Sequence, residues 1–476
     1  MAKPGGHTES GTAARFGYPS ISGIRSSLDT GNESVSALVA AALSRVAERN
    51  AELNAIVTVS DERALEVGRS IDERRARGDT RMLDGLTFTA KDVISVAGIR
   101  MTAGSRLYAD HVPRETAPAI RRLEDAGAVL IGKANCPEFG LDPHTENELF
   151  GATKNPLDSS RTPGGSSGGD AAAVAAGLVP FGIGSDYGGS IRWPAQCTGT
   201  VGFRPTSGLV SGTGHFPFVV DGRPTAPNSA SFLGGVQTMA PVTRSVEDAW
   251  TVLSVLAGPD GLDSRVAPVS LGNPAEVDPS RLAIAWAAGD GSVEPDPGVT
   301  EALRGAAAAL AGVGMDVSEL RPPQLEACER IYAAYRAADG LALHRQIVAG
   351  REELLTPTMR TWFERVDEAS VSELQAIAGE RDAVRATVLA FMEQWPILML
   401  PVANGPAFKL GAADFDERFR LLTPCRAISL LGLPSCSVPV AGAAEGMPLS
   451  VQIVGRPFHD HEVAAVAAEL DGALRA

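Results

Sequence analysis

The stretch from Thr162 to Gly202 constrains this chain most. It is rich in glycine, serine and alanine, the composition of a flexible linker, yet two apolar runs interrupt it, Ala171–Ala176 and Leu178–Ile183. A linker has no reason to carry such runs. They predict a tightly packed helix followed by a buried strand, with the glycines as places where backbone comes close to something else.

The same alternation of apolar strand and amphipathic helix recurs on both sides. Apolar residues at helical spacing predict a helix over 34–51 (Leu38, Val39, Ala42, Leu43, Val46), and a more charged one over 61–77. A short buried strand over 86–90 delivers Lys91 at its end. A helix over 117–126 leads through Gly127 into a strand over 128–131. From Gly202 to Ala240 the chain reads as loop, and a helix over 246–257 follows. The second half reads as strand 282–286, helix 299–311, long helices over 324–350 and 371–393, and strand 397–401. A helix around 418–431, strands 435–440 and 449–454 and a closing helix from His461 complete it. This pattern implies an α/β fold with a largely buried sheet between helical layers. Residues 1–20 read as a poorly ordered tail, 21–476 as the domain, and Pro268–Pro279 as a surface connection between its two halves.

Charge and cysteine content narrow the function. With 42 basic and 57 acidic residues the net charge is −15. Such a surface repels phosphate backbones and anionic lipid, so neither nucleic acid nor membrane is an expected partner, and a neutral or cationic substrate is favoured. No apolar run is long enough for a membrane span. The first seventeen residues hold no apolar core of a signal peptide, and the five cysteines (Cys136, Cys197, Cys328, Cys425, Cys436) form no CxxC pair. Together these point to a reducing, cytoplasmic setting.

The candidate chemistry lies in two segments, Thr162-Pro-Gly-Gly-Ser166-Ser167-Gly-Gly169 and Gly184-Ser-Asp186-Tyr187-Gly188-Gly189-Ser190-Ile-Arg192. Gly188 and Gly189 let backbone amides approach a bound group, and successive N–H groups ahead of a nucleophile can cradle an oxyanion. A phosphate-binding loop would need a lysine after the glycines, and none follows. A nucleophile elbow would need glycine where Arg192 stands. None of the histidines (His7, His111, His144, His215, His344, His459, His461) has a recognisable catalytic context. Lys91 is a different kind of base: a strand-end lysine usually reaches solvent, but a desolvated one loses its proton and can accept another.

Taken together, the Lys91 segment, the GGSSGG segment and the GSDYGGSIR segment resemble the amidase signature family. The resemblance extends through Gly132–Phe139, Val201–Thr206 and Val451–Gly455, nearly the whole chain from about residue 30 onward. It implies one large α/β domain with a mixed central sheet covered by helices on both faces, and a Ser–cis-Ser–Lys triad, with Ser190 as nucleophile, Ser166 as bridging serine in a cis peptide, and Lys91 as base. It also implies an oxyanion hole from the amides of Tyr187, Gly188, Gly189 and Ser190. Ser167 would support the loop, and Asp186 and Arg192 would form a buried polar network around it. The implied reaction is hydrolysis of a small-molecule carboxylic amide through a Ser190 acyl-enzyme, with no metal and no organic cofactor. The alternative is a glutaminase-type subunit of an amidotransferase complex, and a non-catalytic binding protein is the third reading. Asp170, Tyr187, Trp193 and Met101 depart from the common family pattern and bear on specificity, while Cys136 reads as a buried small hydrophobe. The pocket is expected from residues 141–149, 212–231 and 331–343. Tyr332, Tyr335, Phe216, Phe218 and Trp362 would line it and favour an uncharged aliphatic or aryl acyl group. A homodimer is the expected assembly.

Overall fold

The apolar runs of the sequence become strands of one eleven-stranded mixed sheet, in a computed structural model that describes residues 19–475 apart from 229, 230, 340, 367 and 368. In chain order the strands are β1 (Ile56–Val59), β2 (Thr87–Lys91), β3 (Val129–Ala134), β4 (Phe181–Asp186), β5 (Val201–Arg204), β6 (Val219–Val220) and β7 (Arg223–Pro224). They continue with β8 (Thr238–Thr243), β9 (Ile284–Trp286), β10 (Val317–Glu319), β11 (Ile397–Pro401), β12 (Ser435–Ala444) and β13 (Met447–Val454). Strands β6 and β7 form a separate hairpin, and the others are ordered β1-β3-β2-β4-β8-β5-β12-β13-β11-β9-β10. The chain is thus an α/β domain with a large mixed sheet flanked by helices. Most of residues 1–20, the expected tail, lie outside the described residues; Ser20 already caps the first helix, Ile21–Asp29. Residues 268–280 are exposed or half-exposed and carry two short 3₁₀ turns.

Parallel pairing of β2 with both β3 and β4 positions the site. Ala90 stands opposite Ile183, so the carboxyl ends of β2 and β4 deliver Lys91 and Ser185 side by side at one edge. Both strands are buried along their whole length, β2 with threonines and β4 with glycines between its apolar residues. The helix Gly168–Ala175 follows the GGSSGG loop and packs on β4, as its small residues require.

The structure departs from the sequence-based expectations in several places, each for a local reason. The segment 202–240 is not all loop: it begins in β5, carries the β6–β7 hairpin and a short helix (Phe232–Val236), and ends in β8 at the centre of the sheet. Pro241 hides β8, because proline donates no ladder hydrogen bond and argues against a central strand. The helix expected over 324–350 is two helices, Ala327–Ala338 and Ala342–Val348, parted where Leu341 takes a left-handed φ of 51°. The helix expected around 418–431 is likewise two, Phe415–Arg420 and Thr423–Leu431, with Pro424 in the first turn of the second. The strand expected over 178–183 starts later, at Phe181, directly after Pro180.

Candidate active site

Three separate pieces of chain converge where β2 and β4 end. Lys91, 1% exposed, hydrogen-bonds Ser166 Oγ at 2.7 Å and Ser185 Oγ at 3.1 Å through Nζ. The Gly165–Ser166 peptide is cis, as the resemblance implied. Ser167 ties the two glycine-rich segments together: its amide donates to the Ser190 carbonyl at 3.2 Å, and its Oγ sits 3.3 Å from both the amide and the carbonyl of Ser185. Ser190 faces a narrow cleft bordered by Gly165, Tyr187, Gly188 and Tyr332.

Burial pulls the Lys91 ammonium down to about 8, while the charges of Asp170 and Asp186 act in the opposite direction. The Cys136 thiol nearby is itself pushed up by burial and stays neutral, so it supplies no countercharge. A further network orients the lysine. His215 Nδ1 lies 2.5 Å from the Phe216 carbonyl, which can only accept, so Nδ1 carries the proton and Nε2 is the acceptor. Ser185 Oγ, 2.8 Å from Nε2, therefore gives its hydrogen to His215 and accepts an N–H from Lys91. That leaves the lone pair of a neutral Lys91 for the hydroxyl of Ser166. Burial holds His215 down at about 3, so the ring stays neutral.

The loop after β4 is held by a buried carboxylate. Asp186 accepts from the amides of Gly189 (2.9 Å) and Ile191 (3.2 Å) and from Arg192 Nε (3.0 Å) and Nη2 (2.9 Å). Burial alone would raise its pKa, but Arg192, Arg204 and the Gly189 amide outweigh that and hold it well below the usual carboxylate range. Arg192 reaches on to Gln452, Ser429 and the Cys425 carbonyl, locking the loop to β13 and to the helix Thr423–Leu431. Of the four amides assigned to the oxyanion hole, that of Gly189 already donates to Asp186. The amides of Tyr187, Gly188 and Ser190 have no hydrogen-bond partner among the described residues. Glycine at 189 is obligatory, since φ is +116° and a Cβ would lie 2.8 Å from Cys425 Cβ. A Cβ at 188 would meet the Tyr332 hydroxyl at 2.5 Å.

The expected pocket residues divide. Tyr332 lines the cleft, but Tyr335 stacks on Phe232, and Phe216 stacks on Phe139 in the core with Phe218 buried nearby. Trp362 lies beneath the guanidinium of Arg336. Sequence reasoning set His215 aside with the other histidines and gave no role to Arg336 or Arg426. Beside the cleft, sharing Asp142 with it, a larger cavity of about 490 Å³ is lined by Glu138, Glu146, Glu148, Thr358 and Arg418. Trp193 is fully buried, its ring N–H bonded to the Pro143 carbonyl, which makes it core. Asp170 is also fully buried, accepts from Thr89 Oγ1 at 2.8 Å, and is pushed up to about 7 by burial.

A family model described as Amidase matches residues 37–464. The chain belongs to the amidase signature family. It is 33% identical over 460 residues, 90% of its length and 91% of the relative's, to a subunit of the glutamyl-tRNA(Gln) amidotransferase of Symbiobacterium thermophilum. A shorter match, 43% identical over 254 residues, links 53% of this chain to 47% of the corresponding subunit from Salinibacter ruber. Among solved structures, 6-aminohexanoate cyclic dimer hydrolase complexed with substrate superposes with a TM-score of 0.82 at 27% identity, covering 96% of this chain and 97% of that one. Membership makes the chain a hydrolase of the amidase type. No helix among the described residues is long and apolar enough to cross a membrane.

Proposed function

We propose that this chain hydrolyses a carboxylic amide of a small molecule through an acyl-enzyme on Ser190. The observation that carries the reading is the buried Lys91 Nζ at 2.7 Å from Ser166 Oγ, with its other contact, Ser185, already satisfied by His215. Ser190 Oγ attacks the amide carbonyl as its proton passes to Ser166, whose own proton moves to neutral Lys91. The free amides of Tyr187, Gly188 and Ser190 face the developing oxyanion, and Asp186 holds their loop in place. The relay then runs backwards. Lys91 returns its proton through Ser166 to the departing nitrogen, the C–N bond breaks, and water attacks the Ser190 ester by the same path to release the carboxylate.

Release of ammonia or amine from an amide panel tests this, with Ser190→Ala and Lys91→Ala beside the wild type. Both variants are expected to fall by at least about a thousandfold, as removal of members of a catalytic triad does. Undiminished turnover by Ser190→Ala would overturn the mechanism. The relatives named as subunits of glutamyl-tRNA(Gln) amidotransferase support a second reading, in which this chain works as one component of an assembly. Glutaminase activity appearing only with co-purified partners would favour it, and robust turnover by the isolated chain would count against it.

A further inference from the structure

Two arginines border the cleft in front of Ser190, and one of them has buried donors without an acceptor. Arg336 is 5% exposed, and its Nε and Nη2 have no hydrogen-bond partner among the described residues. It stacks on Trp362, with the guanidinium carbon 3.4 Å from the ring centroid, and lies 5.6 Å from the Tyr187 ring. Stacking fixes the plane of the guanidinium, and the buried edge formed by Nε and Nη2 receives no acceptor from the described residues, the edge with which arginine grips a carboxylate through two parallel bonds.

The neighbouring charges do not neutralise it. Arg426, 6% exposed, is bonded to Glu329 at 2.5 Å and adds a second positive field. Asp142 is held by Arg418, Thr358 and the His144 amide. Asp339 accepts the Phe232 amide, and the phenols of Tyr187 and Tyr332 stay neutral because burial raises their pKa values. The cleft therefore holds one surplus buried cation, and buried donors of this kind are rarely left empty.

We infer that Arg336, assisted by Arg426, is the anchor for a carboxylate on the acyl part of the substrate, so that the preferred substrate is a short amide bearing a second, free carboxylate. This rests on the proposed role of Ser190 and departs from the uncharged acyl group expected from the sequence. The cleft, at about 30 Å³ the space of about one water, is by far the smaller of the two adjoining spaces and sets the size limit on the acyl part. The adjoining cavity, with Glu138, Asp142, Glu146 and Glu148 against Arg418, disfavours the carboxylate and suits the leaving nitrogen side.

The test compares kcat/KM for malonamate and succinamate with propionamide and butyramide in wild type, Arg336→Met and Arg336→Lys. A parallel calorimetric titration of the same amides into Ser190→Ala, with and without Arg336→Met, reads binding independently of turnover. The wild type is expected to favour a carboxylated amide by roughly ten- to a hundredfold, the range of a charge-assisted hydrogen bond. That ratio is expected to collapse in Arg336→Met and to survive partly in Arg336→Lys. Equal or lower preference for the carboxylated amides in the wild type overturns the inference even if the Arg336 variants fail to fold, and so does a ratio unchanged by Arg336→Met. If Ser190→Ala still turns over amides, the serine mechanism fails, while loss of succinamate binding on Arg336→Met would still establish the anion site.

Discussion

The pH dependence of turnover follows from the burial of Lys91. An ordinary lysine near 10.5 is neutral at pH 7 in about one molecule in three thousand, whereas one lowered to about 8 is neutral in about one in ten. Burial therefore raises the working fraction of the base by roughly 300-fold, or about 3 kcal/mol. Because only the neutral amine takes the Ser166 proton, log kcat/KM is expected to climb with unit slope from about pH 6 and to level off above about 8. Asp170 and Asp186 hold the ammonium up, so Asp170→Asn is expected to move the inflection to lower pH. Initial rates on one amide across about pH 5.5–10 in buffers of constant ionic strength, about 0.1 M, read both effects. A profile flat from about pH 6 to 9, or one still rising past 10, would refute the reasoning, as would an inflection that Asp170→Asn raises. The same group shapes stability. Between about 8 and 10.5 the unfolded lysine holds a proton that the folded one has lost, so its contribution makes the protein more stable as pH rises through that window.

Two further substitutions test the surrounding network. His215→Phe removes the acceptor for Ser185, whose hydrogen then turns toward the Lys91 lone pair. This is expected to lower kcat by roughly ten- to a hundredfold with KM nearly unchanged, by steady-state kinetics, and unchanged kcat would mean that His215 does not orient the lysine. Asp186→Asn leaves Arg192 and Arg204 buried without their countercharge and is expected to cost about 3–5 kcal/mol in urea denaturation. A loss below about 1 kcal/mol would mean that the loop is held by other contacts.

What could be read from the sequence follows from what is local. Ser166, Ser167, Asp186, Ser190 and Arg192 lie in two short segments whose spacing carries their meaning, and the strand ending in Lys91 alternates Leu86, Phe88 and Ala90 with threonines. A buried sheet between helical layers was legible from alternation, except where Pro241 disguised its central strand β8. His215, Arg336 and Arg426 were not legible. They stand on a loop and two helices with no sequence relation to the motif, and only the folded chain sets His215 on Ser185 and Arg336 on Trp362. The commitment of the Gly189 amide to Asp186 was equally invisible, because it depends on how the loop turns back over its own carboxylate.

Everything proposed for the mechanism depends on a covalent intermediate at Ser190. Peptide mass spectrometry after treatment with a serine-directed fluorophosphonate addresses it directly. One adduct per chain is expected, carried by the peptide that contains Ser190 and absent from Ser190→Ala. An adduct on another serine that persists in Ser190→Ala, or none on an enzyme that is turning over amide, would contradict the proposed chemistry.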